Sequence, residues 1–114
     1  MRVIDPAKNP SKPTPDHTGV SSQEIAGAMA GARSCEVKLG VYEPGGRSIV
    51  HSHAESEHVL YILEGQLTVV DGAKNEATAF AGQALYIPAG EVHMAENRGG
   101  TRTRYIACTA PPPA

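Results

Sequence analysis

Three of the chain's five histidines, His51, His53 and His58, lie within eight residues of one another, in the stretch Gly46 to Gly65 (GRSIVHSHAESEHVLYILEG). In extended backbone successive side chains alternate faces, so an H-x-H pair turns both imidazoles to the same side, a spacing suited to gripping one ion. His58 is an odd number of positions from both and joins them only if the chain turns between. The polar segment Ala54-Glu55-Ser56-Glu57 provides such a turn. Val59 to Leu63 then reads as a buried strand, closed at Glu64-Gly65. The local expectation is strand, turn, strand, with three imidazoles converging.

Short strands and turns continue on both sides. Cys35, Val37, Leu39 and Val41 alternate with Glu36, Lys38, Gly40 and Tyr42, the period-two signature of a half-buried strand, and Glu43-Pro44-Gly45-Gly46 is the turn that ends it. Gln66 to Val70 is a strand leading to a hairpin signal at Asp71-Gly72, with Glu76 to Phe80 as its return. Leu85 to Ile87 is stopped by Pro88, and Thr101 to Thr109 is the last strand. This pattern predicts an all-β barrel or sandwich. A length of 114 residues fits one domain with a modest core.

Residues 1–33 are expected to lie outside the barrel. Pro6, Pro10, Pro13 and Pro15 sit among polar residues and predict a tail, or an arm ordered only against a partner subunit; His17 belongs to it and is not counted as a ligand. Ser21-Ser22-Gln23-Glu24 has a capping-box pattern before Ile25 to Gly31, where two glycines limit any helix to a turn or two. Residues 34–110 form the barrel, and 111–114 a proline-rich tail that does not pair. Cys35 and Cys108 form no C-x-x-C and read as reduced core residues.

The segment Gly82 to Asn97 supplies the counterpart of the histidine stretch. Gly82, Pro88, Gly90, His93 and Asn97 match every fixed position of G-x5-P-x-G-x2-H-x3-N, and Gly45, His51, His53 and Gly65 match G-x5-H-x-H-x4-E-x6-G with His58 at the glutamate position. In both motifs the chain resembles the cupin superfamily over roughly residues 34–110. The resemblance implies a double-stranded β-helix, or jelly-roll barrel, and one divalent transition metal per chain (Fe, Mn, Ni, Cu, Co or Zn) held by His51, His53, His58 and His93. Glu57, beside His58, is the alternative ligand. Strand parity counted back from Gly65 favours His58.

Four neutral imidazoles leave the full charge on a bound ion, which strengthens its pull on an enolate or carboxylate. Three classes of function follow: a dioxygenase-type oxidoreductase acting on a small enolisable or anionic substrate; a non-redox isomerase, hydrolase or lyase using the metal as Lewis acid; and a small-ligand binding or sensor module. The second needs a general base, for which the sequence offers only Glu57 or a tyrosine. Tyr42, Tyr61, Tyr86 and Phe80 are candidates to line the pocket, with core packing as the competing role. Arg47, Arg102 and Arg104 are candidates for a substrate carboxylate, with ordinary surface charge as the favoured role for each, and Arg104 is on the strand expected to border the barrel.

A net charge of −2 with interspersed signs recommends no nucleic-acid or anionic-membrane surface. No apolar run reaches the ~18 residues of a membrane span, and the first residues lack a secretory signal, so a cytoplasmic location is expected. Val59 to Leu63 and Leu67 to Val70 are apolar on both faces, which predicts a homodimer packed through them.

Overall fold

The computed structural model of the protein describes residues 1–113; the last position of the expected C-terminal tail, Ala114, lies outside them. Nine strands form one antiparallel sheet that curls into a nearly closed barrel: β1 (Lys12–Pro13), β2 (His17–Ala26), β3 (Glu36–Ser48), β4 (Glu57–Glu64), β5 (Gln66–Asp71), β6 (Glu76–Phe80), β7 (Ala84–Ile87), β8 (His93–Glu96) and β9 (Thr103–Ala110). The order across the sheet is β6-β5-β8-β3-β9-β4-β7, with β2 added to β3 and β1 to β2. The first half of β3 pairs with β9, while its far end meets β8 at Arg47 opposite Glu96. This long strand therefore carries the sheet round from one wall of the barrel to the other.

The core is the inward set of these strands: Leu60 and Ile62 of β4, Leu67 and Val69 of β5, Leu85 and Ile87 of β7, and Tyr105 of β9. Each occupies alternate positions of its strand, as a pleated sheet with one covered face requires. Asn97, 2% exposed, closes the corner between β8 and β9. Its amide nitrogen donates to the carbonyls of Tyr42 and Thr101, and its oxygen accepts from the Gly99 N–H. A buried amide satisfied on both ends in this way fixes a turn against a strand.

The N-terminal region departs from expectation. Residues 17–26 form a ten-residue strand along the chain's own β3, where a tail and a capped helical segment were expected. Ser21, Ser22, Gln23 and Glu24 present no helical apolar stripe, and their backbone groups find partners on Val41, Gly40, Leu39 and Lys38 instead. The Gln23 side chain donates to the carbonyls of Pro6 and Asn9, pinning the proline-rich segment to the sheet. Only a single 3-10 turn, Ala28–Ala30, remains of the helix. The arm orders against its own subunit.

Three further expectations on strands are corrected. Glu43 to Gly46 does not end β3 but bulges out of it opposite Gly19, between the pairs Thr18–Arg47 and Val20–Tyr42. Gly46 is required there, since a Cβ would stand 2.6 Å from the Gly19 carbonyl oxygen. The faces of β3 are also inverted: Glu36, Lys38 and Tyr42 line the interior, while Val37, Leu39 and Val41 face outward and are half-buried. Finally, β5 needs no partner chain, because Leu67, Thr68 and Val69 are all buried within the subunit. Cys35 is exposed and Cys108 half-buried, both free, so neither is a core residue. The C-terminal segment is anchored by the Ser56 hydroxyl, which donates to the Pro111 carbonyl.

Candidate functional site

The four motif histidines meet at one end of the barrel, and the backbone explains how. His51 and His93 exchange both N–H···O=C bonds, each 2.9 Å, as an isolated antiparallel bridge. That pairing sets their rings 4.4 Å apart. The Pro88-Ala89-Gly90 turn reaches back to donate the Gly90 N–H to the His53 carbonyl at 2.8 Å, tying the second motif to the first. His58, at the start of β4, faces inward, with its ring 4.6 Å from that of His53. His51 and His53 are 5.0 Å apart, and His93 stands 6.3 Å from His53 and 6.1 Å from His58.

Hydrogen bonds orient the rings. The Nδ1 atoms of His51 and His93 lie 2.8 and 2.9 Å from the carbonyls of Ile49 and Glu91. A carbonyl only accepts, so Nδ1 carries the proton in each and the Nε2 lone pair is left free, the arrangement that metal-ligating histidines use. His58 Nδ1 is 3.0 Å from the hydroxyl of Thr109, its neighbour on β9, while its Nε2 is buried without a partner among the described residues. An orphaned buried nitrogen beside three other imidazoles fits a set of donors awaiting a cation. Among the described residues, no group of three or more His, Cys, Asp or Glu side chains has the geometry of a formed metal site.

Burial favours the neutral form of three of these rings, His53, His58 and His93. Burial lowers the His58 pKa to about 4, reinforced by His53, His93 and His51, and burial likewise lowers His53 and His93. Because the unfolded chain takes up these protons near pH 6.5 and the folded one resists them, stability is complete above that pH and is lost as pH falls toward 4. Metal-free protein, prepared with a chelator, is therefore expected to melt at least about 5 °C lower at pH 5 than at pH 7.5. A flat melting temperature across this interval, measured by calorimetry, would contradict the lowered pKa values of His53, His58 and His93.

The histidines open into a cavity of about 540 Å³. Tyr42 lines it, edge-on to Tyr105 at 5.4 Å, and burial raises the pKa of both hydroxyls. The other expected pocket residues do not reach it. Tyr61, Tyr86 and Phe80 face outward and are 43%, 60% and 55% exposed. Glu57, the alternative ligand, also points out and accepts a hydrogen bond from the Tyr86 hydroxyl, because strand alternation sends it opposite to His58. Arg104 pairs with Glu64 and Arg102 with Glu43 on the outer surface, and Arg47 borders a shallow cleft that adjoins the cavity at Asp16, His17, Ser48 and Ile49 without lining the cavity itself.

In their place the cavity holds His17, expected in a tail and not as a ligand, together with Glu36 and Lys38, which carry no motif. His17 is brought in by the pairing of β2 with β3, opposite Ser48, so that its ring stands 6.1 Å from His51 and 6.1 Å from Tyr42. Its Nδ1 is 2.7 Å from the Pro15 carbonyl. Glu36 and Lys38 line the wall as an ion pair at 3.5 Å. No local signal marks His17, but Glu36 and Lys38 share a strand face with Tyr42, a pocket candidate in the sequence.

Comparison with known proteins agrees with this architecture. Over 69 residues the chain is 36% identical to an uncharacterized protein of Methanocaldococcus jannaschii, covering 60% of this chain and 54% of that one. It is 36% identical over 70 residues to germin-like protein 1-1 of Oryza sativa subsp. japonica, covering 58% of this chain and 32% of that protein. The chain thus spans about half or less of these curated relatives. Among solved structures it is similar to the polyketide cyclase RemF from Streptomyces resistomycificus, with a TM-score of 0.83 at 22% identity over 99% of this chain and 81% of that one. The family model for the cupin domain matches residues 38–109, from the cavity-lining Lys38 to the hydrogen-bond partner of His58, and the chain belongs to the cupin family.

Proposed function

We propose that the protein is a metal-dependent cupin enzyme that binds one divalent transition ion through His51, His53, His58 and His93 and acts on a small enolisable or anionic organic substrate. The observation that carries this reading is the buried, unpartnered Nε2 of His58 within a cluster of imidazoles whose oriented members keep their Nε2 atoms free. The bound ion supplies Lewis acidity and, if redox-active, electrons for reaction with oxygen.

The chain's own residues do the rest. Four neutral donors add no negative charge, so an anionic substrate meets an uncompensated cation. The barrel wall of Leu60, Ile87 and Ala95 excludes water from one side of the cavity. Dioxygenase-type chemistry needs no protein nucleophile and is the first reading. The Lewis-acid reading gains from Glu36, a carboxylate inside the cavity that fills the role of the missing base. The two are separated by supplying iron-loaded protein with a β-diketone. Oxygen uptake matching substrate loss is expected; anaerobic deuterium exchange at the central carbon without oxygen uptake favours the second reading. Neither, above the rate of free iron, would overturn both.

The enzyme is proposed to work as a homodimer. Val59 and Tyr61 of β4 and Tyr86 of β7 form a continuous outer patch, since Val59 sits directly opposite Tyr86 in the register, and they are 41%, 43% and 60% exposed. Sedimentation velocity is expected to find a dimer for the native protein and a monomer for Tyr61→Lys; a native monomer would contradict it.

A further inference from the structure

Lys38 is the only lysine or arginine that lines the cavity, among the described residues. Its place is fixed by two strand pairings. Glu36 is opposite Thr109 on β9, and Thr109 is opposite His58 on β4, so these residues form one inward-facing row across three strands. Lys38, Ala107 and Leu60 form the next row. With strands about 4.8 Å apart, the Glu36 backbone lies roughly 10 Å from that of His58. Both side chains of the pair project from there into the space before the histidines.

The pair is built to share its cation. Glu36, 18% exposed, stands 3.5 Å from the Lys38 ammonium, which is 39% exposed and makes no other ion pair among the described residues. An ammonium carries three donors, and the ion pair with Glu36 engages one of them at most, so at least two remain for a ligand. Among the described residues, the other charged side chain on the cavity wall is Asp16, an acid. An anionic ligand therefore has one place to put its charge besides the histidine cluster.

We propose that Lys38, held by Glu36, is a specificity-determining residue that binds a carboxylate on the far end of a substrate whose other end chelates at the four histidines. The substrate class is then a small keto or hydroxy acid with a tethered carboxylate, rather than a neutral diketone. This rests on the metal-dependent reading above and deepens it.

The test compares two probes with the same chelating group: 4,6-dioxoheptanoate, a β-diketone with a tethered carboxylate, and its methyl ester. Binding to zinc-loaded protein is measured by calorimetry for the native chain, Lys38→Met and Lys38→Arg. The free acid is expected to bind Lys38→Met about tenfold or more weakly, the ester less than about twofold differently, with Lys38→Arg close to native. Equal losses for acid and ester would reduce Lys38 to a structural role and overturn the inference. So would an unchanged affinity for the acid. If native zinc-loaded protein bound neither probe, the chelation reading would fail and this inference with it, an outcome distinct from failure of Lys38 alone. Zinc content and melting temperature of each variant confirm that the site and fold persist.

Discussion

Gly40→Ala is expected to lower the melting temperature by roughly 10 °C or more, the cost of about 3 kcal/mol for a single methyl group. Gly40 sits on the inward face of β3 directly opposite Tyr105 of β9, and a Cβ there would stand 2.2 to 2.5 Å from the Tyr105 ring and hydroxyl. Neither partner can yield freely. The backbone of β3 is held by β2 and β9 on its two sides, and Tyr105 is buried against Tyr42. In a Tyr105→Leu background, which removes the overlapping atoms, the same substitution is expected to cost much less than in the native chain. This non-additivity is read by a double-mutant cycle. Simple additivity would mean that the strain is not at the ring.

Changes at His58 are expected to be as large, but in metal affinity. His58→Ala removes a donor and leaves Thr109 without its imidazole partner, and affinity for zinc should fall by at least about a hundredfold in competition with a chromogenic chelator. His58→Glu restores the family's usual carboxylate. It should retain the ion while weakening a chelating anion about tenfold, because the added negative charge offsets that of the cation. An alanine variant that binds zinc like the native protein would place His58 outside the site.

The features legible in the sequence were those written locally. β4 to β7 follow from alternation between glycine and proline turns, and the direction of His51, His53 and His93 from H-x-H and the P-x-G turn. Parity from Gly65 points His58 inward, and the structure places it there while Glu57 faces out. The rest depended on pairings that short-range pattern does not encode. Half of β2 is serine, threonine, glutamine and glutamate, and it becomes a strand because β3 offers it a long edge.

The facing of β3 misled for a related reason. The rule that apolar residues turn inward fails in a barrel whose interior holds a polar site and whose outer wall is partly covered. Val37 and Leu39 therefore lie on the outside, where Gln23, the cross-strand neighbour of Leu39, ties down the N-terminal segment. The same inversion hid Glu36 and Lys38. The aromatics Tyr61, Tyr86 and Phe80 take neither the cavity role nor the core role open to them in the sequence, because alternation with Leu60, Ile62, Leu85, Ile87 and Ala79 sends them out.

The central claim, that the four imidazoles hold one metal ion, is tested most directly by elemental analysis of untagged native protein grown with iron, manganese and zinc all supplied. About one transition-metal ion per chain, lost in His58→Ala, is the predicted result. Native protein that emerges without metal, and takes none up when it is offered, would contradict the account.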